Sequence, residues 1–214
     1  MAGPLPPYLT VDTLLEAADN ALRALFAPAM PGRTVPEWPP APDLAEAERR
    51  HVAGLMRVNH AGEVSAQALY HGQALMARSV ATRNYLLQAA SEEGDHLAWC
   101  EQRLKELNDR TSVLNPLWYA GAFAMGAAAA ALSDRLSLGF LNETERQVES
   151  HLSEHLGRLP EHDLRSRTIL ETMQQEEIKH ASAAQAKGAA ELPQWARHGM
   201  RLTSGIMTRL AYWI

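Results

Sequence analysis

The chain has 214 residues, 46% of them hydrophobic and 21% charged. That suits one domain with a real core and excludes a disordered or collagen-like chain. A formal net charge of −5 argues against a nucleic-acid binder driven by a basic surface, and the lone Cys100 permits neither an internal disulfide nor a thiolate metal cage.

Nine of the 12 prolines fall in residues 1–42. This segment reads as a mostly irregular arm holding one short helix, Val11 to Phe26, between the Pro-rich stretches Pro4–Pro7 and Pro36–Pro42. No Lys or Arg precedes Arg23, and Asp12 and Glu16 are acidic, which argues against a secretory signal or an Arg-rich transit peptide. A cytosol-facing protein is the default expectation. Residues 43–214 are expected to form the helical domain, since period-2 runs and Asn-Gly or Asp-Gly turns are missing there.

Within that domain Asp43 reads as an N-cap for a helical pattern from Leu44 to about Arg78. A second pattern runs from about Thr82 to Asn108. Residues 116–133 carry no charge but are rich in Ala and Gly, too weakly hydrophobic for a membrane span. They suit a helix packed on the bundle or one lying at a membrane surface. The next pattern runs from about Asn142 to Leu156 and stops at Gly157. Pro160 opens another, which continues to about Lys187 with Gly188 as its stop. Residues 193–214 mix Trp195, Met200, Leu202, Ile206, Leu210 and Trp213 with Arg197, Arg201 and Arg209, the composition of an interfacial amphipathic helix, of a helix docked on the bundle, or of a dimer contact. Four long helices in two tight hairpins predict an all-α bundle with additional helices.

Glu-Glu-x-x-His occurs twice, as Glu92-Glu93-Gly-Asp-His96 and Glu176-Glu177-Ile-Lys-His180. Positions i and i+3 share a helix face, so Glu93 and His96 point at one spot, as do Glu177 and His180. With 18 Glu and 9 His, about one Glu-x-x-His is expected by chance. Glu48-Arg-Arg-His51 fits that chance event, on a solvated helix face. The other two gain weight from their place in the hairpins. Glu63 and Glu93 each lie about 15 residues from the first turn, and so at one height, roughly 22 Å away at ~1.5 Å per residue. The height partner of Glu177 across the second turn falls near residue 141, with Glu145 closer to that level than Glu149. Four carboxylates and two imidazoles at one level cost several kcal/mol each to bury charged. Two metal ions remove that penalty, and this is the donor set of di-iron and di-manganese carboxylate bundles, with oxygen and imidazole donors suiting iron or manganese.

The run Arg57-Val-Asn-His-Ala-Gly-Glu63, followed by Gln67, Tyr70 and Gly72-Gln73, resembles the first ligand helix of the demethoxyubiquinone hydroxylase family of ubiquinone biosynthesis. Glu92-Glu-x-x-His96-Leu resembles its second helix, Glu145-x-x-Val148-x-x-His151 its third and Glu176-Glu-x-x-His180-Ala its fourth, so that the likeness covers roughly residues 48–214. The resemblance implies a ferritin-like bundle with two iron ions per chain, held by Glu63, Glu93, His96, Glu145, Glu177 and His180. It implies hydroxylation of a polyprenylated methoxy-benzoquinol with O2, 3-demethoxyubiquinol to 3-demethylubiquinol, by a peripheral protein on the cytoplasmic face of the cell inner membrane. His60 and His151 are candidates for outer partners of the ligands. Leu152 stands where the family more often has an aromatic residue, which bears on the substrate pocket. No Gly-x-Gly-x-x-Gly is present for a Rossmann nicotinamide site. Electrons would come from the quinol, a small reductant or a separate reductase; other quinone-biosynthesis proteins and a homo-oligomer are open partner classes. Competing readings are another ferritin-like di-metal oxidase or manganese catalase, or a metal-free helical scaffold.

Overall fold

The computed structural model describes residues 9–33 and 37–214, so Pro4–Pro7 and Pro36 lie outside the described residues. Seven helices and no strands are found among the described residues. α1 (Val11–Phe26) belongs to the arm. α2 (Glu46–Met76) and α3 (Val80–Glu106) form the first hairpin, and α5 (Asp134–Arg158) and α6 (Leu164–Ala186) the second. These four make the predicted all-α, ferritin-like bundle. α4 (Asn115–Leu132) joins the hairpins and packs along α2, while α7 (Gln194–Ala211) lies against α2 and α5.

Several helix ends differ from the sequence reading. α2 begins at Glu46 rather than Leu44, and Asp43 is not its cap; the Glu48 carboxylate turns back to accept a hydrogen bond from the Ala45 amide. α5 starts eight residues before Asn142, at Asp134, because Ser133 caps it through the Leu136 amide. It also runs through Gly157 to Arg158. α6 begins four residues beyond Pro160, where Asp163 caps the Ser166 amide. The Gly188 stop holds, with φ of +89° in the left-handed region that favours glycine.

Buried polar ties join the two hairpins. Asp163 is fully buried and accepts from Arg103 Nη2 at 3.1 Å, while Arg103 Nε donates to Ser166. At the other end the Asp134 carboxylate accepts from the Arg78 and Ser79 amides, fixing the α2–α3 turn onto the start of α5. α4 lies very close to α2: a Cβ on Gly72 would meet the Phe123 carbonyl oxygen at 2.1 Å, and one on Gly126 the Leu69 carbonyl oxygen at 2.1 Å. Only glycine permits that approach. α4 is thus a helix packed on the bundle, and no helix among the described residues is long and apolar enough to cross a membrane.

The core divides in two along the bundle. One apolar cluster gathers Val64, Leu69, Leu86, Leu97, Leu141 and Ala184; the other gathers Met56, Trp99, Leu104, Leu152, Ile169 and Met173. On α2, α5 and α6 the carboxylates Glu63, Glu145 and Glu177 fall between members of the two clusters, and on α3 Glu93 falls between Ala90 and Leu97 of the first.

Candidate metal centre

Between the two apolar layers lie Glu63 of α2, Glu93 and His96 of α3, Glu145 of α5, and Glu177 and His180 of α6. All but His180 are at most 2% exposed. Ligand-type atoms of Glu63, Glu93, His96 and Glu177 lie within 4.8 Å of one another, and so do those of Glu93, Glu145, Glu177 and His180. Glu93 and Glu177 belong to both groups. The arrangement is therefore a pair of sites with two shared carboxylates, each site completed by one further Glu and one His. The height matching of the hairpins produces this directly, and it places Glu145, not Glu149, in the cluster. Glu149 instead accepts from Gln174 at 3.2 Å.

The donor atoms converge without satisfying one another. His96 Nδ1 lies 2.9 Å from Glu93 and 3.1 Å from Glu177, and His180 Nδ1 lies 3.2 Å from Glu93. These are ionic approaches rather than hydrogen bonds. Both Nδ1 atoms, both oxygens of Glu93 and of Glu177, and Oε2 of Glu145 are buried without a hydrogen-bond partner. Such orphaned buried groups are rare in folded proteins, and a cluster of them aimed at one space fits a cation. The outer nitrogens are occupied: His96 Nε2 donates to Glu176 at 2.9 Å, and His180 Nε2 lies 2.9 Å from Glu92. With a carboxylate beside each Nε2 on the outside, each Nδ1 faces inward, where a metal would take it in place of a proton.

Electrostatics agree. Burial pushes the Glu63 carboxyl up to about 8, and Glu145 well above the usual carboxylate range, reinforced by Glu177 and Glu93. Burial opposes protonation of both imidazoles, yet the surrounding carboxylates prevail, raising His96 well above its usual value and His180 to about 10. In the metal-free protein, protons therefore take the compensating role that metal ions would have.

The first Glu of each Glu-Glu-x-x-His motif has a function that sequence reading did not assign. Glu176 of α6 accepts from the imidazole of α3, and Glu92 of α3 partners the imidazole of α6. The two motifs strap each other, and the doubling of Glu in both was the available signal. Tyr70 is a second such residue: its hydroxyl donates to Glu145 at 2.5 Å inside the core.

Other candidates lie elsewhere. His60 pairs with Asn115 at 3.4 Å and His151 packs against His155, the rings tilted by 58° with centroids 3.9 Å apart; neither hydrogen-bonds to the six among the described residues. Within Arg57–Glu63 only Glu63 faces the cluster. Arg57 binds Asp109 and the Arg110 and Tyr212 carbonyls, and Asn59 binds His155, so that this motif chiefly fastens α2 to its neighbours. Leu152 is fully buried in the second apolar cluster, so the departure there repacks the core. His51 is no ligand either, but it is not solvated as expected: it bonds to the Tyr212 hydroxyl at 2.7 Å and the Arg158 carbonyl at 3.0 Å.

Residues 50–211 match the family model described as ubiquinone biosynthesis protein COQ7. The chain belongs to that family. A Ralstonia pickettii protein named 3-demethoxyubiquinol 3-hydroxylase is 62% identical over 172 residues, covering 80% of this chain and 79% of the relative. Proteins of the same name from Nitrosomonas eutropha and Burkholderia multivorans are 52% and 55% identical, each covering 96% of this chain and 100% of the relative.

Proposed function

We propose that this chain is a 3-demethoxyubiquinol 3-hydroxylase: a di-iron monooxygenase that uses O2 to hydroxylate the ring of a polyprenylated methoxy-benzoquinol. The observation carrying this reading is the pair of four-residue groups sharing Glu93 and Glu177, in a chain whose close relatives bear that name. Glu63 and His96 would hold one metal and Glu145 and His180 the other, with Glu93 and Glu177 common to both groups. A bound iron pair would supply the O2 activation that ring hydroxylation requires.

The chain's own groups do the rest. Glu176 and Glu92 hold the imidazoles by Nε2, so that both Nδ1 atoms stay on the metal side. Tyr70 steadies Glu145 by its hydroxyl hydrogen bond. The two apolar clusters close the site from both ends and keep bulk water out. A cavity of about 210 Å³ between α5 and α6, lined by Glu145 and Glu177 with Ile178 and Ala181, is the approach we assign to O2 and the ring.

A polyprenyl tail resides in a bilayer. α7 exposes Trp195, Leu202 and Ile206 beside Arg201 and Arg209, with Trp213 exposed just beyond its end, which supports attachment as a peripheral protein at a membrane surface; the reading places that surface at the cytoplasmic face of the cell inner membrane. Deleting the gene and extracting the lipids tests the function. The demethoxy precursor should accumulate, and the wild-type gene, but not a Glu177→Ala allele, should restore the quinone. Unchanged quinones would refute the reading.

A further inference from the structure

The N-terminal arm precedes residues 50–211, which the family model matches, yet it reaches the wall of the metal centre. The Ala29 amide donates to Glu101 at 3.0 Å and the Gly32 amide to Asp95 at 2.6 Å, laying residues 29–33 along α3. Arg33 then binds Asp95, which is 2% exposed, through Nε. Its other two nitrogens bind both oxygens of Glu176, at 3.0 and 2.8 Å. The guanidinium also stands 5.6 Å above the Trp99 ring, which packs 5.3 Å from His96. Glu176 is the carboxylate that accepts from His96 Nε2.

The other side of the centre differs. Among the described residues Glu92, the partner of His180, has besides it only the Gln88 amide at 3.0 Å, and its side chain is 37% exposed against 19% for Glu176. A bidentate Arg–carboxylate pair fixes both position and orientation, whereas a neutral amide on an exposed carboxylate fixes little. Sequence duplication makes the two halves alike, and the arm makes them unequal.

We propose that Arg33 is a positioning residue of the metal centre. It clamps Glu176 on His96 Nε2, so that the His96 side holds its metal more tightly and exchanges its imidazole proton more slowly than the His180 side. The proposal rests on the six-residue metal centre, but it concerns only the difference between the halves. Loss of an outer hydrogen-bond partner of a metal-ligating imidazole costs about 10–100-fold in affinity. Arg33 acts one bond further out, so about 3–10-fold is expected on one side only.

The test uses the full chain loaded with cobalt(II), followed by stepwise titration and by the paramagnetically shifted imidazole N–H resonances. Wild type should show two steps and two exchangeable signals, one slower to exchange. Arg33→Ala should weaken one step and speed exchange of the slow signal alone. Arg33→Lys should restore part of both effects, and Glu92→Gln should affect the other step and signal. Glu176→Gln should reproduce Arg33→Ala at least in full, and adding Arg33→Ala to it should change nothing further. Arg83→Ala, which cuts the arm's ion pair with Glu16 away from Glu176, should leave both signals as they are. Equal loss on both sides, no loss, or the same effect from Arg83→Ala would overturn the proposal while leaving the metal centre standing. A wild-type chain that takes up no cobalt would overturn the centre itself, and the proposal with it.

Discussion

Replacing Glu145 by glutamine should stabilise the metal-free protein and destabilise the metal-loaded one. Glu145 is fully buried, one oxygen accepting from Tyr70 and the other without a partner. Burial and the neighbouring carboxylates push its carboxyl well above the usual range, so folding without metal favours the protonated form of this group. In the unfolded chain the same group titrates near 4.5. A proton taken up on folding at neutral pH costs stability, because the unfolded group is ionised there. An isosteric amide needs no proton, can still accept from Tyr70, and can donate towards Glu177. Allowing for imperfect geometry, the gain should be about 1–3 kcal/mol, or about 2–10 °C in Tm for a chain of this size. With metal the order reverses, because wild type gains roughly 3 kcal/mol at a hundredfold excess over Kd and the variant has lost a ligand. Thermal melts followed by circular dichroism, with chelator and with iron(II) under argon, read both effects. A variant that melts below wild type in chelator, or a wild type whose Tm ignores iron, would refute the reasoning.

Three further outcomes follow from the same structure. Burial holds His60 at about 4 against an ordinary 6.5, so the unfolded chain binds more protons between those values and wild type loses stability as pH falls through that window. A His60→Gln variant should therefore be less stable than wild type at pH 7.5 and close the gap by up to about 2 kcal/mol at pH 5; a pH-independent difference in urea melts would contradict the burial. Gly126→Ala should cost about 1–3 kcal/mol by forcing α4 off the Leu69 carbonyl, whereas Gly121→Ala, whose Cβ meets nothing within 4 Å, should be neutral or stabilising; equal melting temperatures would refute the close packing. Replacing exposed Trp213 and Leu202 by serine should weaken co-sedimentation with phospholipid vesicles without changing the circular-dichroism spectrum, and undiminished binding would remove α7 from the membrane surface.

What the sequence disclosed was whatever depends on periodicity and on counting along helices. Glu63, Glu93 and Glu177 could be placed at one level because 1.5 Å per residue and two short turns leave little freedom, and all seven helices were foreseen. The hidden parts depend on side chains that leave their own helix. Asp43 looked like a cap, but the Glu48 carboxylate does that work from within the first turn. The start of α5 was misplaced because Ser133 precedes a stretch whose hydrophobic pattern changes only later. His60 and His151 share a helix with a ligand, but their partners, Asn115 and His155, lie outside the cluster. Arg33 could not have been connected to Glu176 at all, since the two lie 143 residues apart and meet only through an irregular arm.

The account depends most on a pair of metals between the apolar layers. Full-length protein expressed with iron-57 and examined by metal analysis and Mössbauer spectroscopy tests it directly. Two irons per chain with the signature of a magnetically coupled pair are expected, and both should be lost in Glu177→Ala while the helical signal persists. Less than about one iron per chain, or uncoupled single irons untouched by that substitution, would contradict it.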